Sequence, residues 1–126
     1  MEEQLITFET AKLAKEKGFD IKVETFYMGD SEENFLHNAG KKDNWNNHKC
    51  LLNESELSND YSAPTQSLLQ KWLREEHGID VYCMPVGDDS YKWYNNIASH
   101  NPVFTGTYEE ALEVGLQEAL KLINGY

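Results

Sequence analysis

Residues 64–86, PTQSLLQKWLREEHGIDVYCMPV, constrain the fold more than any other stretch. Pro64 suits the first turn of a helix, where its missing N–H is harmless. Leu68, Leu69, Trp72 and Leu73 then recur on one helical face, with Gln66, Gln70, Lys71 and Arg74 towards water. Gly78 stops the helix, because glycine enters the left-handed conformation at little cost. IDVYCMPV (79–86) follows as a strand. A helix handed to a strand with no linker points to α and β elements sharing one core. A chain of 126 residues has room for one such core.

The same punctuation occurs near the start. Thr7 caps a helix through about Lys17, Gly18 stops it, and Phe19 folds back onto Leu13 or Ala14. IKVETFYM (21–28) alternates as a strand does. The segments EKGFDIKV (16–23) and EHGIDVYC (76–83) echo each other. A duplicated helix–strand unit and ordinary handover punctuation both account for the echo.

After GDDS (87–90), which reads as a turn, YKWYNNIA (91–98) is the antiparallel mate of 79–86, and PVFTG (102–106) adds a short third strand. Thr107 and Glu110 form a capping box for a last helix. Its apolar face is Ala111, Leu112, Gly115, Leu116, Ala119, Leu122 and Ile123, with Lys121 near an Asn124-Gly125 stop. Residues 29–63 hold seven asparagines and little periodicity. They predict a long, polar, mobile loop at about 29–60, anchored by Trp45, Leu51 and Leu52. HKCLLN (48–53) within it is a candidate strand pairing back onto 21–28. The expected architecture is α+β: residues 1–126 as a single domain, a mostly antiparallel sheet of three to five strands, and three helices packed mainly on one face.

Charge narrows the function. Twenty-two acidic against eleven basic residues give −11. That field opposes direct binding to nucleic acid or an anionic membrane and favours a basic partner. Cys50 and Cys83 make no disulfide framework. MEEQLITFETAK lacks the basic start and apolar core of a signal peptide, and VYCMPV, the longest apolar run, is too short for a bilayer. A reduced, cytoplasmic protein is expected, in which the Asn53-Glu54-Ser55 sequon has no role.

The motifs of common chemistries are missing. Gly40-Lys41 begins no phosphate loop, since Phe35 stands where glycine is needed and Lys42 replaces the magnesium-binding hydroxyl. His37, His48 and Cys50 fall short of the four ligands of a structural zinc site. Cys83, with His77 or His100, would make a thiolate–imidazole pair, but it lies mid-strand in an apolar run, the setting of an inert core thiol. Asp88 and Asp89 would be a carboxylate pair, or simply turn residues. No catalytic residue, cofactor or metal is expected. Tyr91 and Trp93 share one strand face and Tyr94 the other. These three, with Asp88, Asp89 and Trp45, are the residues expected to contact a partner.

Helix–strand–strand–strand–helix over 64–126 resembles double-stranded-RNA-binding domains in element order alone. The last helix begins TYEEAL where that family places phosphate-binding lysines, so RNA binding is not expected. TFETAKLAKEKGFD, YSAPTQSLLQKWLREEHGIDV and TYEEALEVGLQEALKLI, about two-fifths of the chain, resemble a set of small, often prophage-borne bacterial proteins without an assigned function. The resemblance implies a mobile-element setting and supplies no catalytic residues. Three functions follow. One is a non-enzymatic interaction module for a basic host or phage protein, acting as a monomer or homodimer. The others are an acidic mimic of nucleic acid that blocks a DNA-binding protein, and a small enzyme using Cys83 or a carboxylate pair.

Overall fold

A computed structural model of the chain describes residues 4–28, 36–47, 49–51, 57–85, 90–96 and 103–123. Among them are three α-helices, seven strands and a short 3-10 helix. The fold is α+β with antiparallel sheets, the strands being shared between a sheet of four and a sheet of three. No helix among the described residues is long and apolar enough to cross a membrane. The chain divides into two compact units, Leu5–Pro64 and Thr65–Gly125, the latter including Met1–Gln4.

In the first unit, α1 (Phe8–Glu16) opens at Thr7, whose hydroxyl accepts the Thr10 N–H at 3.4 Å. Past its end the Phe19 N–H returns to the Ala14 carbonyl at 3.0 Å, and the Phe19 ring is buried. β1 (Val23–Met28) lies between β2 (Leu36–Asp43) and β4 (Leu57–Ser62), with β3 (Lys49–Leu51) outside β4.

Two expectations are corrected here. Much of the stretch read as a loop at 29–60 is strand, and β3 in HKCLLN pairs with β4, not with residues 21–28. Both edges of β1 are already taken by β2 and β4, so no ladder is left for β3 there. The asparagines have structural work in this region. Asn46 donates to the Phe19 carbonyl at 2.9 Å and accepts the Ser62 N–H at 2.9 Å. It thereby satisfies two backbone groups that no ladder reaches. Trp45, on the 3-10 helix Trp45–Asn47, donates its indole N–H to the Val23 carbonyl at 2.7 Å and stacks on Phe26 at 4.5 Å.

β2 is an edge strand, and its register carries a bulge. Two steps along β1, Val23 to Thr25, span five along β2, Asp43 to Asn38. The extra residues turn at Gly40 (φ 72) and leave Lys41 and Lys42 exposed. A bulge and lysines on an edge discourage pairing with another chain.

In the second unit, α2 (Gln66–His77) is capped by Thr65, whose hydroxyl accepts the Leu68 N–H at 3.2 Å. Pro64 therefore stands outside the helix instead of in its first turn, because the Thr65 hydroxyl is the capping group. Gly78 (φ 66) ends the helix, its N–H on the Arg74 carbonyl. β5 (Val81–Pro85), β6 (Ser90–Asn95) and β7 (Val103–Thr105) form an antiparallel meander. α3 (Tyr108–Leu122) returns across β5 and β6 and packs on α2. The Thr107 hydroxyl accepts the Glu110 N–H at 3.1 Å.

Two side chains on these helices differ from expectation. Gln66 is buried, not solvated, because its amide donates to the Glu113 carboxylate at 2.9 Å and to the Glu109 carbonyl at 2.8 Å. Leu122 is exposed and Leu120 takes its place in the core. The Asn124-Gly125 stop lies outside the described residues.

α3 meets the sheet at Gly115. A Cβ built there would stand 3.0 Å from the Trp93 Cβ and 3.2 Å from a Val81 methyl. The Trp93 Cβ is fixed to β6 and has little room to withdraw. Gly115→Val should therefore destabilise the protein by about 3 kcal/mol through overpacking, read from urea unfolding with tryptophan fluorescence. An unchanged midpoint would mean that α3 does not approach β6 this closely.

Candidate interaction face

The β5–β6 register sorts the side chains of the three-stranded sheet. Val81 stands opposite Asn95, Cys83 opposite Trp93, and Pro85 opposite Tyr91; Tyr82 stands opposite Tyr94 and Met84 opposite Lys92. Directly paired residues share a face and neighbours along a strand alternate. Val81 and Trp93 meet Gly115, so the first set faces α3. Tyr82, Met84, Lys92 and Tyr94 occupy the opposite face.

That face is exposed along β5 and partly covered along β6. Tyr82 is 46% and Met84 49% exposed. The Tyr82 and Tyr94 rings stack across the strands at 5.3 Å and 14°, and the Lys92 ammonium sits 5.4 Å from the Tyr94 ring centre. A half-exposed tyrosine held parallel to a partly buried one, with an exposed methionine beside them, is the side-chain set of an interface centre. The hairpin is closed at this end by Asn96, which accepts the Asp80 N–H and donates to the Gly78 carbonyl, both at 2.9 Å.

The edge of β5 is less inviting than its face. Gln70 donates to the Val81 carbonyl at 2.7 Å, and Pro85 has no N–H to offer. Both features blunt strand addition.

Of the residues expected at a partner contact, the structure places Tyr94 on the open face. Tyr91 faces the helix side and meets Tyr108 edge-on at 5.9 Å. Trp93 and Trp45 are corrected: they are 3% and 7% exposed and belong to the core. Trp93 is pinned under Gly115, and Trp45 is held by Phe26 and the Val23 carbonyl. Asp88 and Asp89 lie outside the described residues. Sequence reasoning missed Tyr82, Met84 and Lys92. Alternation through VYCMP, once the hairpin partner is drawn, is the signal that would have found them.

The Cys83 thiol lies on the helix side. Burial alone pushes its pKa up to about 11. Burial, then the charge of a Cys83 thiolate, then Glu109, raise the neighbouring Tyr108 phenol. No imidazole enters the thiol's surroundings among the described residues; His77 lies against Trp72 at 4.7 Å instead, and His100 is not described. The described residues hold no group of three or more His, Cys, Asp or Glu that could bind a metal ion. His37 stacks on Phe26 at 5.4 Å, while His48 and the Cys50 side chain lie outside the described residues. No protein-family model, curated protein or solved structure matches the chain.

A thiol raised from 9.0 to about 11 carries about a hundredfold less thiolate at pH 8. In a Cys50→Ser background, alkylation of Cys83 by iodoacetamide should be correspondingly slow at pH 8 and should climb until the pH passes about 11. A rate that levels off below pH 9 would contradict this reading of the site.

Proposed function

We propose that the protein is a non-enzymatic interaction module that binds a basic host or phage protein, in the bacterial cytoplasm and in a mobile-element setting. The observation that carries the proposal is the stacked Tyr82–Tyr94 pair with Met84 on the open sheet face. A fold of this size gains stability by burying such side chains, about 1.5–3 kcal/mol for each large apolar group fully covered. Leaving them outside is the pattern of a surface used for binding. A net charge of −11 supplies the long-range attraction for a basic partner. The raised Cys83 thiol favours this reading over nucleophilic catalysis by that residue.

A photo-crosslinking side chain at position 82, compared with one at exposed Lys71 on α2, tests the proposal in lysate of the source cells. Position 82 should give a discrete adduct that excess unlabelled protein removes. Excess Tyr82→Ser/Tyr94→Ser protein should fail to remove it. Equal labelling from both positions, or competition by the double variant, would overturn the reading.

A further inference from the structure

We infer that the partner presents an arginine in a basic segment, and that this arginine stacks on Tyr82 and pairs with Asp80; the inference rests on the interaction reading above. Tyr82 gives one ring face to Tyr94. β5 is an edge strand, so no neighbouring strand stands on the other side of Tyr82, and the side chain is 46% exposed. Asp80 is exposed two residues before Tyr82, just ahead of the first residue of β5; chain continued in extended form would set the two about 7 Å apart. The Asn96 side chain fixes the Asp80 N–H. A flat guanidinium can lie on a phenol ring and present its N–H fork to a carboxylate at that spacing.

Charge complementarity points the same way. The chain carries −11, and residues 65–125 contain Lys71, Arg74, Lys92 and Lys121 against nine carboxylates. Lys92, the cation on the face itself, lies over Tyr94 and shows that a ring of this pair accepts a cation. It stands opposite Met84, at the end of the hairpin away from Asp80. An incoming cation therefore finds its anion at the Asp80 end, beside the uncovered face of Tyr82. Lysine would satisfy the charge but not the flat stacking, so the site should prefer arginine.

The test uses the full chain with ¹³C-labelled tyrosine rings, titrated with short Gly-Arg, Gly-Lys and Gly-Leu repeat peptides and followed by NMR. The Gly-Arg peptide should shift the Tyr82 ring signals saturably and bind about tenfold tighter than Gly-Lys. Tyr82→Leu should abolish the preference, and Asp80→Asn and added salt should weaken binding. Both residues are exposed, and unchanged Trp93 signals will confirm that the variants fold. Equal affinity for Gly-Arg and Gly-Lys without movement of Tyr82, or an arginine preference that survives Tyr82→Leu, would overturn the inference. So would concentration-dependent broadening of Tyr82 with no peptide present, which means that a second copy covers the face. Shifts with Gly-Leu and none with Gly-Arg would overturn it too, while leaving the interaction reading standing. Failure of the position-specific crosslink would bring down both.

Discussion

The second unit depends on one contact, the approach of α3 to β6 at Gly115. With no side chain at that position, the helix lies against the Trp93 Cβ and the Val81 methyl. A side chain there would hold the helix off the sheet and open a gap beneath it, and gaps of that kind forfeit dispersion contacts along their whole lining. The contact decides which side of the sheet is core. Because strand side chains alternate, it also decides which side is left outside. Tyr82 and Met84 are exposed, and Lys92 and Tyr94 partly so, for the same reason that Trp93 is buried.

The first unit treats its aromatic residues differently. Phe8 meets Tyr27 and Tyr61 edge-on at 5.7 and 5.4 Å, and Lys15 lies 4.6 Å from the centre of the Tyr61 ring. Phe26 is held between His37 and Trp45. Those rings are engaged by their own unit, and the edge beside them is guarded by the bulge at Gly40 and by Lys41 and Lys42. Among the described residues, Tyr82 and Met84 on the β5–β6 face remain exposed. The tyrosines of that face stack on each other and leave the outer ring face of Tyr82 uncommitted. Set in a chain of charge −11, an uncommitted aromatic beside a carboxylate is suited to a cation carried by another protein.

Much of the fold was legible because its signals are local. Thr7, Thr107, Gly18 and Gly78 mark helix ends through their own backbone chemistry, and VYCMP and YKWYN alternate as half-buried strands do. β2 was illegible for a physical reason. Leu36–Lys42 are exposed on both faces, so burial imposes no period on LHNAGKKD. The asparagines that suggested a loop are partly backbone ligands, as Asn46 shows. The burial of Gln66 was equally hidden, since its partners Glu109 and Glu113 are more than forty residues away in sequence. The site was half legible. Alternation put Tyr94 opposite Tyr91 and Trp93, but only the register with β5 brings Tyr82 beside it, and only the Gly115 contact says which side is open.

The central claim is that one side of the β5–β6 hairpin is sealed by α3 and that the other exposes Tyr82 and Met84. Solvent paramagnetic relaxation, measured with a neutral gadolinium chelate, reads this residue by residue. The account predicts strong relaxation of side-chain protons at Tyr82 and Met84 and intermediate relaxation at Tyr94, against weak relaxation at Val81, Trp93 and Asn95. Uniform relaxation along both strands, or a Trp93 ring as accessible as Tyr82, would contradict it.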